Sequence, residues 1–102
     1  MNPKDHPQEP RLLPWASPDG KPCYVIGEGR GFVSDLADGL EELQLCTATE
    51  VLDHSRELLN RPEPPAPNEL LFITNRLTES LSDAVRVADS RGRRLDQALH
   101  AP

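Results

Sequence analysis

Arg61-Pro62-Glu63-Pro64-Pro65-Ala66-Pro67 divides the chain into two segments with strong helical patterns. Four of these seven residues are proline, which cannot continue a helix because it lacks an N–H and clashes with the preceding turn. Two amphipathic segments joined by so short a connector are typical of a helical hairpin. The stretch therefore predicts a mainly α fold in which two long helices pack antiparallel.

The first helix is predicted to follow Ser34, which suits an N-cap, and to cover residues 35–60. Its apolar side chains form two rows, a stripe wider than one neighbouring helix can cover. Gly39 and a capping-box pattern starting at Thr47 leave open whether the segment is one helix or two helices with a kink. The rows are Leu36, Leu40, Leu43, Thr47, Val51 and Leu58, and Leu45, Ala48, Leu52 and Leu59.

The second helix is predicted from about residue 66 to Gly92, which suits the position just after a helix end. In the antiparallel arrangement, Leu52 and Leu59 are expected near the start of this helix. Acidic residues at the start of helix one and arginines at the end of helix two favour the same direction. The apolar stripe expected to face helix one is Leu70, Thr74, Leu77, Leu81, Ala84 and Ala88, widened by Leu71, Ile73, Val85 and Val87.

The segment before the helices is predicted to hold a small β-hairpin at residues 22–33, made from the β-prone runs Cys23–Ile26 and Gly31–Val33. Leu12-Leu13-Pro14-Trp15 is expected to lie extended over the helices. Residues 1–11 are predicted to be a disordered tail and residues 93–102 a frayed one, so that residues 12–92 form a single domain. The structural anchors of that domain are expected to be Trp15, Tyr24 and Phe32.

The charge balance argues against two classes of partner. The formal net charge is −6, whereas nucleic acids and anionic membrane surfaces are bound mainly through Lys and Arg. No apolar run approaches the roughly 18 residues that a membrane span needs, and the first residues lack the apolar core of a signal peptide. A cytoplasmic location is therefore expected, and it agrees with two cysteines that form no disulfide framework.

Three motifs were weighed as chemical sites and none is retained. Gly27–Gly31 fails the spacing of phosphate-binding loops. Asp53-His54-Ser55 are consecutive, and helical neighbours point about 100° apart, so they cannot converge on one substrate atom. Asp38, Glu42 and Cys46 share one face but lack further metal ligands. We therefore predict no catalytic residues, no cofactor and no metal.

Phe72 is the residue most informative about function, because it falls outside the apolar stripe of helix two, next to Arg76. One interpretation is a single exposed aromatic residue or a contact with the Trp15 segment. The other is an anchor in a protein interface, where aromatic residues and Arg are enriched. The predicted interface combines these two residues with Leu45, Leu52 and Leu59 of the wide stripe on helix one. The leading hypothesis is a non-enzymatic interaction module, an accessory or regulatory protein that forms a homodimer or binds another protein. The alternative is a small-molecule or metal-responsive binding domain.

Several short motifs resemble those of a group of small uncharacterised actinomycete proteins. They are Leu13-Pro14-Trp15, the run from Ser17 to Tyr24, Ser34-Asp35-Leu36-Ala37-Asp38, and Val87-Ala88-Asp89-Ser90-Arg91-Gly92. The resemblance covers roughly residues 12–94. It implies an origin and a cytoplasmic location, and it brings no activity with it.

Overall fold

The structure is a computed structural model that describes residues 10–27 and 31–100. Two strands, β1 (Arg11–Ala16) and β2 (Pro22–Val25), precede two helices, α1 (Phe32–Asn60) and α2 (Pro67–His100). The helices pack along each other as a hairpin, the strands pair antiparallel, and β1 contacts both helices. The predicted mainly α helical hairpin with a small N-terminal β-hairpin is confirmed.

α1 is one continuous helix of 29 residues, which answers the question that the sequence left open. Its first turn is closed by the Asp35 N–H, which donates to the Gly31 carbonyl at 2.9 Å. Ser34 therefore lies inside the helix, where it is buried, and its predicted role as the N-cap is wrong. No kink forms at the Thr47 region, where the Thr49 hydroxyl donates within the helix to the Leu45 carbonyl.

The two helices meet along heptad-spaced positions that we call the seam. Residues seven apart fall on nearly the same side of an α-helix, so such a repeat produces a long contact line. Val51, Leu58 and Ile73 form an apolar cluster at the loop end of this line. The remaining seam positions are small or polar to an unusual degree. The seam consists of Ala37, Glu41, Gln44, Ala48, Val51, Ser55 and Leu58 on α1, and Ile73, Arg76, Ser80, Val87, Ser90 and Arg94 on α2.

α2 continues to His100, so the predicted end at Gly92 and the predicted frayed tail at 93–102 are wrong over the described residues. Gly92 is tolerated inside the helix at a cost of about 1 kcal/mol relative to Ala. The last turns are held by contacts that the sequence pattern did not reveal. Arg94 forms an ion pair with Glu41 of α1, and hydrogen bonding with Tyr24 raises the pKa of Arg93.

The β-hairpin is also displaced from its predicted position at 22–33. β2 matches the predicted run at Cys23, but its partner is β1, with Leu12 opposite Tyr24 and Ala16 opposite Pro22. The predicted second strand, Gly31–Val33, is instead the N-cap residue Gly31 followed by the first residues of α1, and residues 28–30 lie outside the described residues. A strand that contains proline is tolerated here because β1 pairs on one edge only, and the register is irregular between Leu12 and Ala16.

β1 lies over the helices, as expected for the Leu12–Trp15 segment, but its buried part begins earlier. Arg11, Leu12, Leu13 and Pro14 are buried, whereas Trp15 is half-buried. The predicted tail boundary at residue 11 is therefore wrong, and residues 1–9 lie outside the described residues. The predicted anchor Phe32 is 82% exposed, so the structure contradicts that role. Tyr24 is 46% exposed, and it hydrogen-bonds with Arg93 of α2.

Candidate interaction surface

A buried carboxylate closes the open end of the helical hairpin. Glu41 is 1% exposed and accepts hydrogen bonds from Arg91 Nε at 3.2 Å and from Arg94 Nη2 at 2.9 Å. Arg11 Nη2 of β1 approaches the same carboxylate at 3.4 Å and Asp38 Oδ1 at 2.6 Å. One carboxylate thus joins β1, α1 and α2, and the predicted charge match between the two helix ends is present as direct ion pairs.

This environment also sets the ionisation of Glu41. Burial disfavours its charged form, but hydrogen bonds from Arg94 and Arg91 and the charges of Arg94 and Arg11 outweigh burial and hold the pKa of Glu41 below its usual range. The carboxylate is therefore ionised throughout the neutral range. A buried ion pair of this kind fixes geometry, and removal of one partner is strongly destabilising.

β1 is fixed to a particular side of the hairpin through its carbonyl groups. The Ser90 hydroxyl donates to the Leu12 carbonyl at 2.7 Å, and Gln44 Nε2 donates to the Pro14 carbonyl at 2.7 Å. Arg86 Nη1 makes a longer contact of 3.4 Å with the same Pro14 carbonyl. These bonds define the side of α2 that carries Arg86 and Ser90 as the side covered by the sheet.

The leucines of α2 lie on the opposite side from the sheet. Residues nine apart in a helix are separated by about 900°, which is half a turn after the full turns are removed. Leu77 is nine residues before Arg86, and Leu81 is nine residues before Ser90. Since Arg86 and Ser90 point at β1, the two leucines point away from it. Leu81 is accordingly 65% exposed.

We call this side of α2 the outer stripe. It extends from Leu70 to Leu99, a length of about 44 Å at 1.5 Å per residue. Three charged residues lie at its edges: Arg91, which is paired with Glu41 and Glu42, Asp89, which is paired with Arg93, and Asp96, which lies beside His100. The uncharged residues of the outer stripe are Leu70, Leu71, Thr74, Leu77, Thr78, Leu81, Ala84, Val85, Ala88, Gly92, Leu95, Ala98 and Leu99.

α1 adds a shorter row to the same side of the hairpin. Leu52 and Leu59 directly follow the seam residues Val51 and Leu58, just as Leu77 follows the seam residue Arg76. In an antiparallel pair of helices, positions one step after the seam on both helices lie on the same side. We call the outer stripe together with Leu45, Leu52 and Leu59 the leucine face. Leu59 is 71% exposed, and Leu45 is half-buried.

The structure separates the predicted interface residues into two groups. Phe72 is nine residues before Leu81, so it points away from the leucine face. It is 60% exposed and borders a shallow groove with His54 and Ile73. Arg76 lines the same groove and forms an ion pair with Glu79 at 2.9 Å. The predicted set of Phe72, Arg76 and the three α1 leucines is therefore not one contiguous surface.

The residues considered for chemistry do not converge. The Ser55 hydroxyl is buried and donates to the Leu52 carbonyl, while His54 beside it is exposed. Cys23 and Cys46 are free thiols. Over residues 10–27 and 31–100 there is no cluster of three or more His, Cys, Asp or Glu side chains that could hold a metal ion. Within the same ranges no helix is both long and apolar enough to cross a membrane.

Comparison with protein families, with curated proteins and with solved structures finds no match to this chain. The resemblance to small actinomycete proteins thus stays a prediction. The leucine face is the surface that sequence reasoning missed as a unit, because its α2 half was expected to pack on α1. A signal was present, since the uncharged stripe continues past Gly92 to Leu95 and Leu99 with unchanged spacing.

Proposed function

We propose that this protein is a non-enzymatic interaction module, a small accessory or regulatory protein of the cytoplasm that binds protein through the leucine face. The observation that carries the proposal is the outer stripe itself. It presents exposed Leu and Val side chains over about 44 Å, and the charged residues at its edges, Arg91, Asp89 and Asp96, each lie within 3.2 Å of a partner side chain. Proteins that act alone rarely expose an apolar patch of more than a few hundred Å².

The rest of the molecule supports the same function. The sheet and its hydrogen bonds occupy the other side of α2, so nothing among the described residues covers the stripe. The radius of gyration is 18.1 Å, whereas a compact domain of this length has about 13 Å. A long, thin hairpin with one apolar side has the shape of half a helix bundle.

The test places a photo-crosslinking amino acid at Leu81 of the full chain in cells that naturally make the protein. The matched control places it at Asn75, which is exposed on the same helix but lies outside the stripe. We expect a defined crosslinked species, with this chain or another protein, from position 81 and none from position 75. Absence of any crosslink from position 81 would overturn the proposed function.

A further inference from the structure

We propose that the occupant of the leucine face is a second copy of this chain, with the two α2 helices antiparallel about a two-fold axis that passes between Ala84 and Val85. This inference rests on the proposed function and names the partner. It is carried by the pattern of side-chain sizes along the outer stripe, by the area of the leucine face, and by the pairing of the charges at the edges of the stripe.

The size pattern is self-complementary. In an antiparallel pair centred between residues 84 and 85, the numbers of two residues that face each other add up to 169. Leu81 then meets Ala88 of the second copy, and Leu77 meets Gly92. Leu95 likewise meets Thr74. Large side chains opposite small ones allow two helices to interdigitate without voids or clashes.

This register is also the one that overlaps the whole stripe, since Leu70 of one copy then meets Leu99 of the other. A shift of seven residues toward the N-terminus places Leu81 opposite itself, and the same shift toward the C-terminus places Leu81 opposite Leu95. Both shifts set leucines against each other inside the stripe and shorten the overlap, whereas the favoured register pairs two leucines only at its ends. The sequence of the stripe thus favours one antiparallel register over its nearest alternatives.

The area is sufficient for a stable pair. The outer stripe is about 44 Å long and about 10 Å wide, and the α1 row of the leucine face adds about 21 Å of similar width. The projected area is on the order of 650 Å² per chain, close to the roughly 800 Å² per partner of a stable interface. A stack of two hairpins through these faces is a four-helix arrangement, and a two-fold pair uses the same surface on both copies.

The charge of Arg91 does not oppose the pairing. Its guanidinium is held by Glu41 at 3.2 Å and by Glu42 at 2.8 Å, so Arg91 brings no unpaired charge into the interface. In the proposed register Arg91 lies opposite Thr78, which is neutral. Asp89 and Asp96 lie at the edge of the stripe, and they are within 3.2 Å of Arg93 and His100, respectively.

The test uses the full chain with Cys23 and Cys46 replaced by Ser. Two variants, Leu81→Cys and Ala88→Cys, are oxidised separately and as an equal mixture. A disulfide needs its Cα atoms within about 7 Å, whereas two copies of residue 81 are about 10 Å apart along the axis in this register. We expect a disulfide-linked dimer from the mixture and almost none from either variant alone.

Sedimentation equilibrium of the unmodified chain at micromolar concentration accompanies the crosslinking. A monomer there overturns the second-copy inference while the photo-crosslinking result decides the proposed function separately. Crosslinking of each single variant with itself overturns the antiparallel register. A dimer that shows no mixed crosslink overturns it as well.

A size-swap series provides a readout that simple misfolding cannot reproduce. Leu81→Ala and Ala88→Leu each disturb the pairing, by a cavity and by a clash, so each is expected to raise the dimer dissociation constant about tenfold or more. The double variant restores a large residue opposite a small one and is expected to return within about threefold of the unmodified chain. Purely additive losses would overturn the pairing of residues 81 and 88.

Discussion

The inner and outer sides of α2 differ in composition. The inner side presents Ile73, Ser80, Val87 and Ser90, so that two of the four buried positions of α2 are serine. The outer side presents Leu77, Leu81 and other leucines to solvent. Burial of a Leu side chain is worth about 1.5–3 kcal/mol, whereas a buried serine contributes little beyond its hydrogen bonds. The stronger apolar surface thus faces away from the partner helix.

The inner and outer sides of α2 also differ in the kind of contact that they make. The seam and the sheet are held by directed polar contacts, such as Glu41 with its arginines and Ser90 with the Leu12 carbonyl. Such contacts set the relative position of helices and strand. Apart from the ion pairs at its edges, the outer stripe offers mainly exposed apolar area. This division is what we expect of a chain that fixes its own geometry internally and gains further stability by association.

The largest expected effect comes from a charge placed on the outer stripe. Leu81→Asp loses apolar burial and places carboxylates in the proposed interface, so we expect the free energy of unfolding to fall by about 4 kcal/mol per dimer. Leu43→Asp is the control, since Leu43 is 60% exposed on α1 and outside the leucine face. It should change stability by less than about 0.5 kcal/mol. Urea unfolding of both variants measures the two changes in stability. If both changes are small and equal, the outer stripe is exposed to solvent.

The next effect concerns the seam. Glu41→Gln removes the charge that pairs with Arg91, Arg94 and Arg11 while keeping the size of the side chain, and we expect a loss of about 3 kcal/mol. Glu42→Gln is the matched control, because Glu42 is largely exposed and pairs with Arg91 alone. Its loss should stay below about 1 kcal/mol. If thermal or urea unfolding shows similar losses of stability for the two variants, the buried position of Glu41 makes no extra contribution to stability.

The lowered pKa of Glu41 gives this comparison a pH dependence. A carboxyl group whose folded pKa lies below its unfolded value contributes its full stability above the unfolded pKa, which is about 4.3, and loses it as pH falls through the folded pKa. Stability of the unmodified chain should therefore fall on acidification below about pH 4.3. Asp19 and Glu69 also have lowered pKa values, so the difference between the unmodified chain and Glu41→Gln isolates the contribution of Glu41. Parallel pH profiles would contradict this assignment.

A smaller effect tests which residue anchors β1. Leu13→Ala should lower the free energy of unfolding by about 2.5 kcal/mol, because Leu13 is buried. Trp15→Ala should lower it by about 1.5 kcal/mol, because Trp15 is only half-buried despite its larger side chain. Calorimetric or urea unfolding of the two variants gives the order. A larger loss for Trp15→Ala would restore the role that the sequence analysis assigned to it.

The sequence predicted the hairpin and its direction because both depend on local chemistry. The prolines after Arg61 end one helix and precede the next, and the charges of Glu41 and Arg91 lie at the ends that must meet. The side of α2 that contacts α1 was not predicted, because the leucine stripe is the more apolar side and apolar content was taken to mark the inside. Position on the seam depends on tertiary contacts such as the bond from Ser90 to Leu12, and no local pattern encodes these.

The strand pairing was missed for a related reason. Arg11–Ala16 contains proline and follows a polar segment, and such a run does not match the alternation of a typical strand. Its burial comes from the helices beneath it, which sequence periodicity cannot show. The end of helix two was wrongly predicted at Gly92, because a glycine near basic residues is a common signal for the end of a helix. The contacts of Arg93 and Arg94 carry the helix through it.

The smallest expected effect compares two glycines inside helices. Gly39 in α1 and Gly92 in α2 both have open space where a Cβ would stand, and Gly→Ala in a helix interior is worth about 0.5–1 kcal/mol. Gly39→Ala should therefore stabilise the chain by about that amount. In the proposed dimer Gly92 lies opposite Leu77 of the second copy, so a Cβ there crowds the leucine and removes most of the gain. Unfolding curves measured for both variants at the same protein concentration show the difference. Equal stabilisation would mean that Gly92 faces solvent, and it would contradict the register in which Leu77 meets Gly92.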